Sequence, residues 1–423
     1  MTALMPPSMP PRTSLLLQSK ILHSKRILVC VSSSIAIYKA LELISLLKKM
    51  QAEVRVVMSE EAKKFITPLC FEALTHTKVL HAQSESWAQE GATPCNHISY
   101  AKWADIALIA PASANTIAKL AAGISDNLLL STLLACSSPK ILAPAMNTQM
   151  LLAPQTQNNL LHLQTLGYGI IPPREGLLAC ATFGDGALAE VEEILFHLTR
   201  ALLTTPAWQG KRVIITGGGS KESIDSVRCI SNHSSGLQAS ALALALYTLG
   251  AEVTLISSIF PTPLPKAIRA IEVSDTQSYL ASIHATLEEN PNDKTYLFMA
   301  AAIADFIPQD PQKGKIKKQA NATLELKLAK NTDILASLDH KNLIKIGFKA
   351  ESDAENAKAY AAKMLEEKNC ACVCLNILTE HNTFGSTQNA MHLITKTTQT
   401  TLPLDSKLEI AFGIASFIST QRI

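Results

Sequence analysis

The stretch Thr216 to Gly236, TGGGSKESIDSVRCISNHSSG, concentrates more chemistry-bearing side chains than any other part of this 423-residue chain. It follows the apolar run RVII (212–215), and glycines at the carboxyl end of a strand let backbone N–H groups approach an anion. A dinucleotide fingerprint opens a helix at once, as GxGxxG. Here a polar insertion with Glu222, Asp225, Arg228, Asn232, Ser234 and Ser235 comes first, which exceeds a turn's needs and argues against an NAD site. Three downstream segments add to it. MAAAIADF (299–306) ends an apolar run in small residues against which a flat ligand can lie, with Asp305 as acceptor for a base amine or a ribose hydroxyl. KGKIKKQ (313–319) has the charge to bind a triphosphate, although a lysine run is also ordinary solvated surface. In KNTDIL (330–335), Asn331 or Thr332 is placed to cap a helix whose N-terminus faces phosphate.

The first half carries a second, sparser set. VSSSIAIYK (31–39) and PASANTIAK (111–119) put Ser33 and Ser34, then Ser113, Asn115 and Thr116, where a strand passes into a helix. Both loops read as serine caps or as a phosphate cradle, and two of them suit a mononucleotide better than a dinucleotide. His97 in NHISYAKWAD is structural or catalytic, and Asn147 in PAMNTQM is a turn residue or a ligand. Cys180 in GLLACATFGDGAL is a small core side chain or a loop thiol able to donate a proton.

Strand ends must hold these residues, and the chain starts a βαβ unit twice. The first is RILVCVS (26–32), a helix to about Met50 and AEVRVVMS (52–59). The second is RVIIT, the polar loop, a helix to Leu249 and AEVTLIS (251–257). ADIALIAPA (104–112), KILAPAM (140–146) and YGIIPP (168–173) extend the first set of strands. TYLFMAAA, TLELKL, LIKIGF and CACVCLN extend the second, followed by a hairpin in NAMHLITKTTQTTLPL and a helix over Lys407–Ile418. A helix starts near Leu188 and precedes the join. Alternating strands and helices predict an α/β protein with two Rossmann-like parallel-sheet domains in series, 26–200 and 211–423, with a linker at 201–210. Residues 1–25 read as a disordered extension. Cys370, Cys372 and Cys374 alternate, which predicts one face of a buried strand rather than a metal site.

Composition narrows the partners. A net charge of +3 gives no reason to expect nucleic acid or an anionic membrane as the main partner, and no apolar run is long enough to span a bilayer. Nine cysteines without a CxxC pair, and no signal-peptide block, point to reduced thiols in the cytoplasm.

In order and spacing, the second-half segments resemble the phosphopantothenate–cysteine ligase domain of bacterial coenzyme A biosynthesis. The 216–236 loop, AAIAD, KIKKQ, KNTDIL, GFKAE (347–351) and FGSTQNA (384–390) carry the likeness. It implies that a substrate carboxylate attacks the α-phosphate of CTP, with Mg²⁺, and that cysteine's amine then displaces CMP from the acyl-cytidylate. It puts Asn232 on the intermediate, Arg228 on substrate or a partner subunit, and Ala302 beside the substrate. It puts Met299, Ala300, Ala301, Asp305, Lys315, Thr332, Asp333, Ile334, Leu335, Phe348, Lys363 and Lys368 around CTP. Four features depart from the family: Ser220 for threonine, Thr332 for proline, Ala371 for aspartate, and Lys363 and Lys368 five rather than four apart.

The first half is similar to the flavin-dependent cysteine decarboxylase family over about 26–200, through His97, Pro144–Met150 and the Cys180 loop. The resemblance implies a flavodoxin-like domain holding FMN through Ser33, Ser34, Ser59, Ser113, Asn115 and Thr116. It makes His97 base or orienter, Asn147 the holder of the substrate carboxylate and amide, and Cys180 the acid. FMN there is the electron sink that lets a carboxylate beside an amide leave as CO₂. Ala181 stands where glycine usually follows the cysteine, Gly186-Ala187-Leu188 lacks the family's arginine, Ser33 replaces glycine and Leu151 an aromatic residue. The ligase product is the decarboxylase substrate, so the expectation is a bifunctional homo-oligomer making 4′-phosphopantetheine. Its rivals are a ligase with an impaired decarboxylase half and a non-enzymatic flavin-binding regulator.

Overall fold

The structure, a computed structural model, describes residues 14–87, 94–179, 181–317, 324–379, 382 and 385–421. The described residues form two compact units, 17–203 and 204–421 with 14–16; the described end of the segment read as a disordered extension is folded, with Leu16 and Leu22 buried.

The Leu17–Leu203 unit contains β1 (Arg26–Val31), α1 (Tyr38–Lys49), β2 (Glu53–Met58), α2 (Pro68–Thr75), α3 (His97–Trp103), β3 (Ile106–Ala112), α4 (Ala114–Ala121) and α5 (Leu128–Ala135). It continues through β4 (Lys140–Pro144), α6 (Thr148–Leu152), α7 (Pro154–Thr165), β5 (Gly169–Ile170), β6 (Arg174–Leu177), β7 (Phe183–Ala187) and α8 (Val191–Leu203). The parallel sheet has the order β2-β1-β3-β4-β5. Every residue of β3 is buried, as expected of a central strand covered on both faces. The helices fit this with one apolar stripe each: α1 buries Ala40, Leu43, Ile44 and Leu47, the spacing of a single helix face. Because the chain leaves β1 toward β2 and returns on its other side as β3, a crevice opens at the carboxyl ends of β1 and β3.

The other unit contains β8 (Arg212–Gly217), β9 (Lys221–Ser223), β10 (Cys229–Ser231), α9 (Leu237–Thr248), β11 (Glu252–Ser257), β12 (Arg269–Glu272), α10 (Thr276–Glu288), β13 (Thr295–Met299) and β14 (Phe306–Pro308). It ends with β15 (Leu328–Lys330), α11 (Ile334–Ser337), β16 (Leu343–Glu351), α12 (Ala357–Glu367), β17 (Cys372–Ile377), β18 (Gln388–Ile394), β19 (Gln399–Ser406) and α13 (Lys407–Thr420). The main sheet runs β12-β11-β8-β13-β16-β17-β18-β19, with β18 and β19 antiparallel. Helix α9 is buried continuously from Ala239 to Thr248, so its apolar run is a central helix packed between β8, β11 and α13. Tyr279, Ile283, Ile334, Leu335, Ala361 and Leu365 belong to a second core cluster, built on α10, α11 and α12.

Several expectations need correction. TLELKL forms no strand over 324–327; only Leu328–Lys330 pairs, antiparallel to β14, because Leu324, Leu326 and Leu328 are all exposed and have no core to enter. YGIIPP supplies only the two residues of β5, and TYLFMAAA stops being strand at Met299. Cys370 precedes β17 and packs with Val373 and Leu375, so it does not share a face with Cys372 and Cys374. The helix read near Leu188 begins at Val191, and it continues to Leu203, inside the segment read as linker. Within that segment Trp208 is 2% exposed, and its indole N–H donates to the Ala415 carbonyl at 3.1 Å. Replacing Trp208 by alanine should therefore cost about 3–5 kcal/mol, read as a lower denaturation midpoint of this unit by urea titration.

Two candidate active sites

In the Leu17–Leu203 unit the serines gather where β1, β2 and β3 end. Ser34 accepts from Ala36 N–H at 3.3 Å, Ser59 from Ala62 N–H at 3.3 Å and Ser113 from Thr116 N–H at 3.4 Å, so each one caps the turn that follows. Ser33 is half-buried beside them, Thr116 is buried with its hydroxyl 3.1 Å from that of Ser113, and Asn115 is exposed. Ser32, the first of the three serines, fastens the two central strand ends together. Its hydroxyl donates to the Pro111 carbonyl at 2.7 Å and accepts from Ser113 N–H at 2.9 Å. His97 opens α3, and its Nδ1 lies 2.8 Å from a Glu85 carboxylate oxygen. A carboxylate accepts, so the proton sits on Nδ1 and Nε2 is left available. Trp87 stands edge-on to the same imidazole at a centroid distance of 5.5 Å. Neither partner is visible in the sequence, since no motif links 85, 87 and 97.

Asn147 follows β4 as the cap of α6, its side chain accepting from Gln149 N–H at 2.9 Å. The β6–β7 hairpin is docked on this turn. Met146 N–H donates to Gly186 O at 2.9 Å and the Thr148 hydroxyl to Asp185 O at 2.6 Å. Gly186 has φ +120°, and a Cβ there would lie 2.2 Å from Met146 O, so only glycine permits the docking. Cys180 lies outside the described residues. Next to it, Ala181 takes φ 58°, the left-handed region, in a tight turn closed by Ala181 N–H to Leu178 O at 2.9 Å.

The second site is a cleft of about 900 Å³ lined by the carboxyl-end residues of β13, β16 and β17. Asn232–Gly236, Met299–Phe306, Lys330–Leu335, Phe348 and Lys368 line it, so most sequence candidates of this half meet in one cavity. Three do not line it. Arg228 is held by the buried Asp225 carboxylate, Lys315 is exposed, and Lys363 points to solvent at 3.7 Å from Glu367. The Lys363 spacing explains itself: five residues from Lys368 is off the shared helix face.

The glycine triplet works differently from its sequence reading, since it does not line the cleft. A Cβ on Gly217 would fall 2.4 Å from that of Ala239, Gly218 has φ +76°, and a Cβ on Gly219 would fall 2.5 Å from Asn232 O. The missing side chains let protein approach protein. Ala302 N–H donates to Gly218 O at 2.8 Å, Ser220 N–H to Ala302 O at 3.2 Å and Ala304 N–H to the Ser220 hydroxyl at 3.0 Å. Ser220 is fully buried and keeps the hydroxyl that threonine would supply. Asn232 Nδ2 then donates to Ile303 O at 3.0 Å. Behind this floor, buried Glu222 accepts from Thr276 N–H at 3.0 Å and its hydroxyl at 2.6 Å, while Asn331 Nδ2 donates to Thr276 Oγ1 and Ala304 O, both at 2.7 Å. Asn331 is thus a tie, and Asp333 is the cap of the four-residue α11, accepting from Ala336 N–H at 3.1 Å. Burial alone would raise the Asp333 carboxyl, but Lys368 at 2.8 Å and the helix N–H groups outweigh it and hold it below the usual range.

Comparison with known proteins assigns both halves. The Flavoprotein family model matches residues 17–203, and the model for the DNA/pantothenate metabolism flavoprotein C-terminal domain matches 208–421. The coenzyme A biosynthesis bifunctional protein CoaBC of Haemophilus influenzae is 38% identical over 94% of this chain and 98% of its own. That of Escherichia coli K12 is 35% identical over 91% of this chain and 94% of its own. The chain belongs to the CoaBC family. It is a bifunctional enzyme of coenzyme A biosynthesis, with a flavoprotein decarboxylase half and a ligase half. Among solved structures, the C-terminal domain of a CoaBC protein is 30% identical over 51% of this chain and 97% of its own, with a TM-score of 0.42. A PPC decarboxylase mutant complexed with pantothenoylaminoethenethiol is 36% identical over 42% of this chain and 97% of its own, with a TM-score of 0.38. Among the described residues, no helix is long and apolar enough to cross a membrane, and no cluster of three or more His, Cys, Asp and Glu is placed to hold a metal.

Two outcomes follow from this CoaBC geometry. Gly219→Ala should push Asn232 off the cleft floor and lower ligation by about tenfold or more while decarboxylation of supplied intermediate continues, measured by separate pyrophosphate and CO₂ assays. Burial would raise the Asp225 carboxyl, but N–H groups of Val227, Ile316 and Arg228, with the Arg228 charge, hold it down to about 2. A depressed carboxyl stabilises above its unfolded pKa, about 3.9, and loses that as pH falls through the folded value. Asp225→Asn should therefore melt lower than wild type at pH 7, with the gap closing between about pH 4 and pH 2.

Proposed function

We propose that the C-terminal cleft joins 4′-phosphopantothenate to cysteine at the expense of CTP, and that the N-terminal unit converts the product to 4′-phosphopantetheine and CO₂ with FMN. The convergence of five separated places, 232–236, 299–306, 330–335, Phe348 and Lys368, on one cavity supports the ligase reading. The substrate carboxylate attacks the α-phosphate of CTP and pyrophosphate leaves; the cysteine amine then attacks the acyl carbon, CMP leaves, and the ammonium gives up a proton. In this reading Asn232, whose amide is bonded to Ile303 O, holds the acyl group, with Ala302 alongside. Asp305 reads the cytidine, and the small side chains of Ala300 and Ala301 give it a flat wall. Lys368, half-neutralised by Asp333, serves the nucleotide. Mg²⁺ enters with the triphosphate, which suits a cation that keeps its waters and binds through substrate phosphates and few carboxylates. Arg228 and Lys315 lie off this cavity, so they serve the reaction through a closing segment or across a contact with a second copy, which fits a homo-oligomer.

In the N-terminal unit, the crevice at β1 and β3 fits a flavin mononucleotide: its donors are neutral hydroxyls and turn N–H groups that suit one phosphate. FMN, when bound, takes up the electron pair of the substrate thiol and returns it after CO₂ has left. His97, oriented by Glu85, is the base for the thiol through Nε2; Asn147 holds the carboxylate and amide; Cys180 is the proton donor. Purified protein supplied with phosphopantothenate, cysteine, CTP and Mg²⁺ should release pyrophosphate and CO₂ in equal amounts. Pyrophosphate without CO₂ would remove the decarboxylase assignment, and neither product would remove both. Glu85→Gln should slow CO₂ release by about tenfold or more and leave ligation unchanged. Ala181→Gly should relieve about 1 kcal/mol of left-handed strain in the Cys180 turn, visible as a higher melting temperature of that half.

A further inference from the structure

Lys407 is the first residue of α13 and lines the ligase cleft, on the wall where β18 meets α9. It is 7% exposed, and its ammonium has no hydrogen-bond or ion-pair partner among the described residues. The other lysines of the cleft differ from it. Lys368 is 2.8 Å from Asp333, Lys349 is 2.8 Å from Glu351, and Lys330 is exposed. A buried charge is costly to keep without a counter-charge, and burial duly pulls the Lys407 ammonium below the usual lysine range.

The surroundings hold Lys407 in place and add no carboxylate. Its backbone N–H donates to Thr387 O at 3.2 Å, and Asn389 Nδ2 donates to Gln238 Oε1 at 3.1 Å, tying the start of β18 to the first turn of α9. Both amides line the cleft with it. The α9 N-terminus, capped by Gly236 without a side-chain bond, faces the same cavity. Around the whole cleft four lysines (330, 349, 368 and 407) stand against two aspartates (305 and 333), an excess that suits an oxyanion.

We infer that Lys407 is a substrate-binding residue of the ligase reaction, its ammonium receiving a phosphate oxyanion. The inference rests on the ligase reading of this cleft. The oxyanion comes from the CTP triphosphate or from the phosphomonoester of phosphopantothenate, which present the same chemistry to an ammonium. Lys407→Met and Lys407→Arg in the full chain separate the two, with KM for CTP, phosphopantothenate and cysteine each measured by pyrophosphate release. Lys407→Met should raise KM for one or both phosphate substrates by about tenfold with kcat nearly kept, and Lys407→Arg should recover most of it. The substrate whose KM moves is the one Lys407 holds. If neither phosphate KM moves by more than about twofold, or only that of cysteine rises, the inference is wrong. CO₂ release from supplied phosphopantothenoylcysteine checks that each variant folds. Should Lys407→Met fail to fold, the wild-type protein decides. Acetylation of Lys407 by acetic anhydride, followed by peptide mass spectrometry, should fall about fivefold or more under saturating inorganic triphosphate or phosphopantothenate, while exposed Lys363 is unaffected. Labelling that neither triphosphate nor saturating phosphopantothenate reduces overturns the inference. Because this protection needs no turnover, it is distinguishable from failure of the ligase reading, which would appear as wild-type protein releasing no pyrophosphate.

Discussion

The ligase half depends on a backbone-to-backbone seam between two strand ends, the glycines after β8 and the alanines after β13. Three hydrogen bonds, Ala302 N–H to Gly218 O, Ser220 N–H to Ala302 O and Ala304 N–H to the Ser220 hydroxyl, lay one segment on the other. Glycine is needed beside the seam as well: a Cβ at Gly217 would strike Ala239 of α9, one at Gly219 would strike Asn232 O, and Gly218 holds the left-handed conformation. Asn232 sits directly over Gly219, and its amide reaches Ile303 on the far side. Two loops, each too irregular to hold a shape alone, become a single floor for the cleft.

Burial behind that floor keeps it rigid. Glu222, Thr276, Asn331 and Ala304 form a chain of bonds in which each buried polar group finds a partner. Asp225 does the same at the rim, gathering the N–H groups of Val227, Arg228 and Ile316 around one carboxylate. The polar insertion is thus two buried acid-centred knots with Asn232 between the last of them and α9. Its hydrogen-bonding capacity goes largely into making the loop one conformation, which is what a preorganised site needs.

Local order in the chain made much of this legible. The strands β1, β2, β3, β8 and β11 and the final hairpin lie within about two residues of where apolar runs and breakers put them, and for β1, β3 and β8 the reason is that central parallel strands are apolar on both faces. Asn232, the 299–306 segment and 330–335 could be marked because their types suit nucleotide chemistry. What was not legible depends on pairings far apart in sequence. Lys407 and Gln238 line one cleft because β18 returns antiparallel beside β17 and α13 packs on α9. Glu85 reaches His97 from 12 residues away, with no motif to link the two. The contacts of the three glycines with protein are hidden for the same reason: a strand end that touches another chain segment looks, in one dimension, like one that touches a phosphate. Asp333 caps α11 in place of the expected Asn331 or Thr332, because Thr276, 55 residues away, captures Asn331.

The claim that this floor carries acyl-cytidylate chemistry is tested most directly by rapid-quench measurement of pyrophosphate with cysteine left out. A burst approaching one pyrophosphate per active site, requiring both CTP and phosphopantothenate and followed by turnover only when cysteine is added, is the predicted result. Pyrophosphate that appears only once cysteine is present would contradict it, since the carboxylate would then not be activated before the amine arrives.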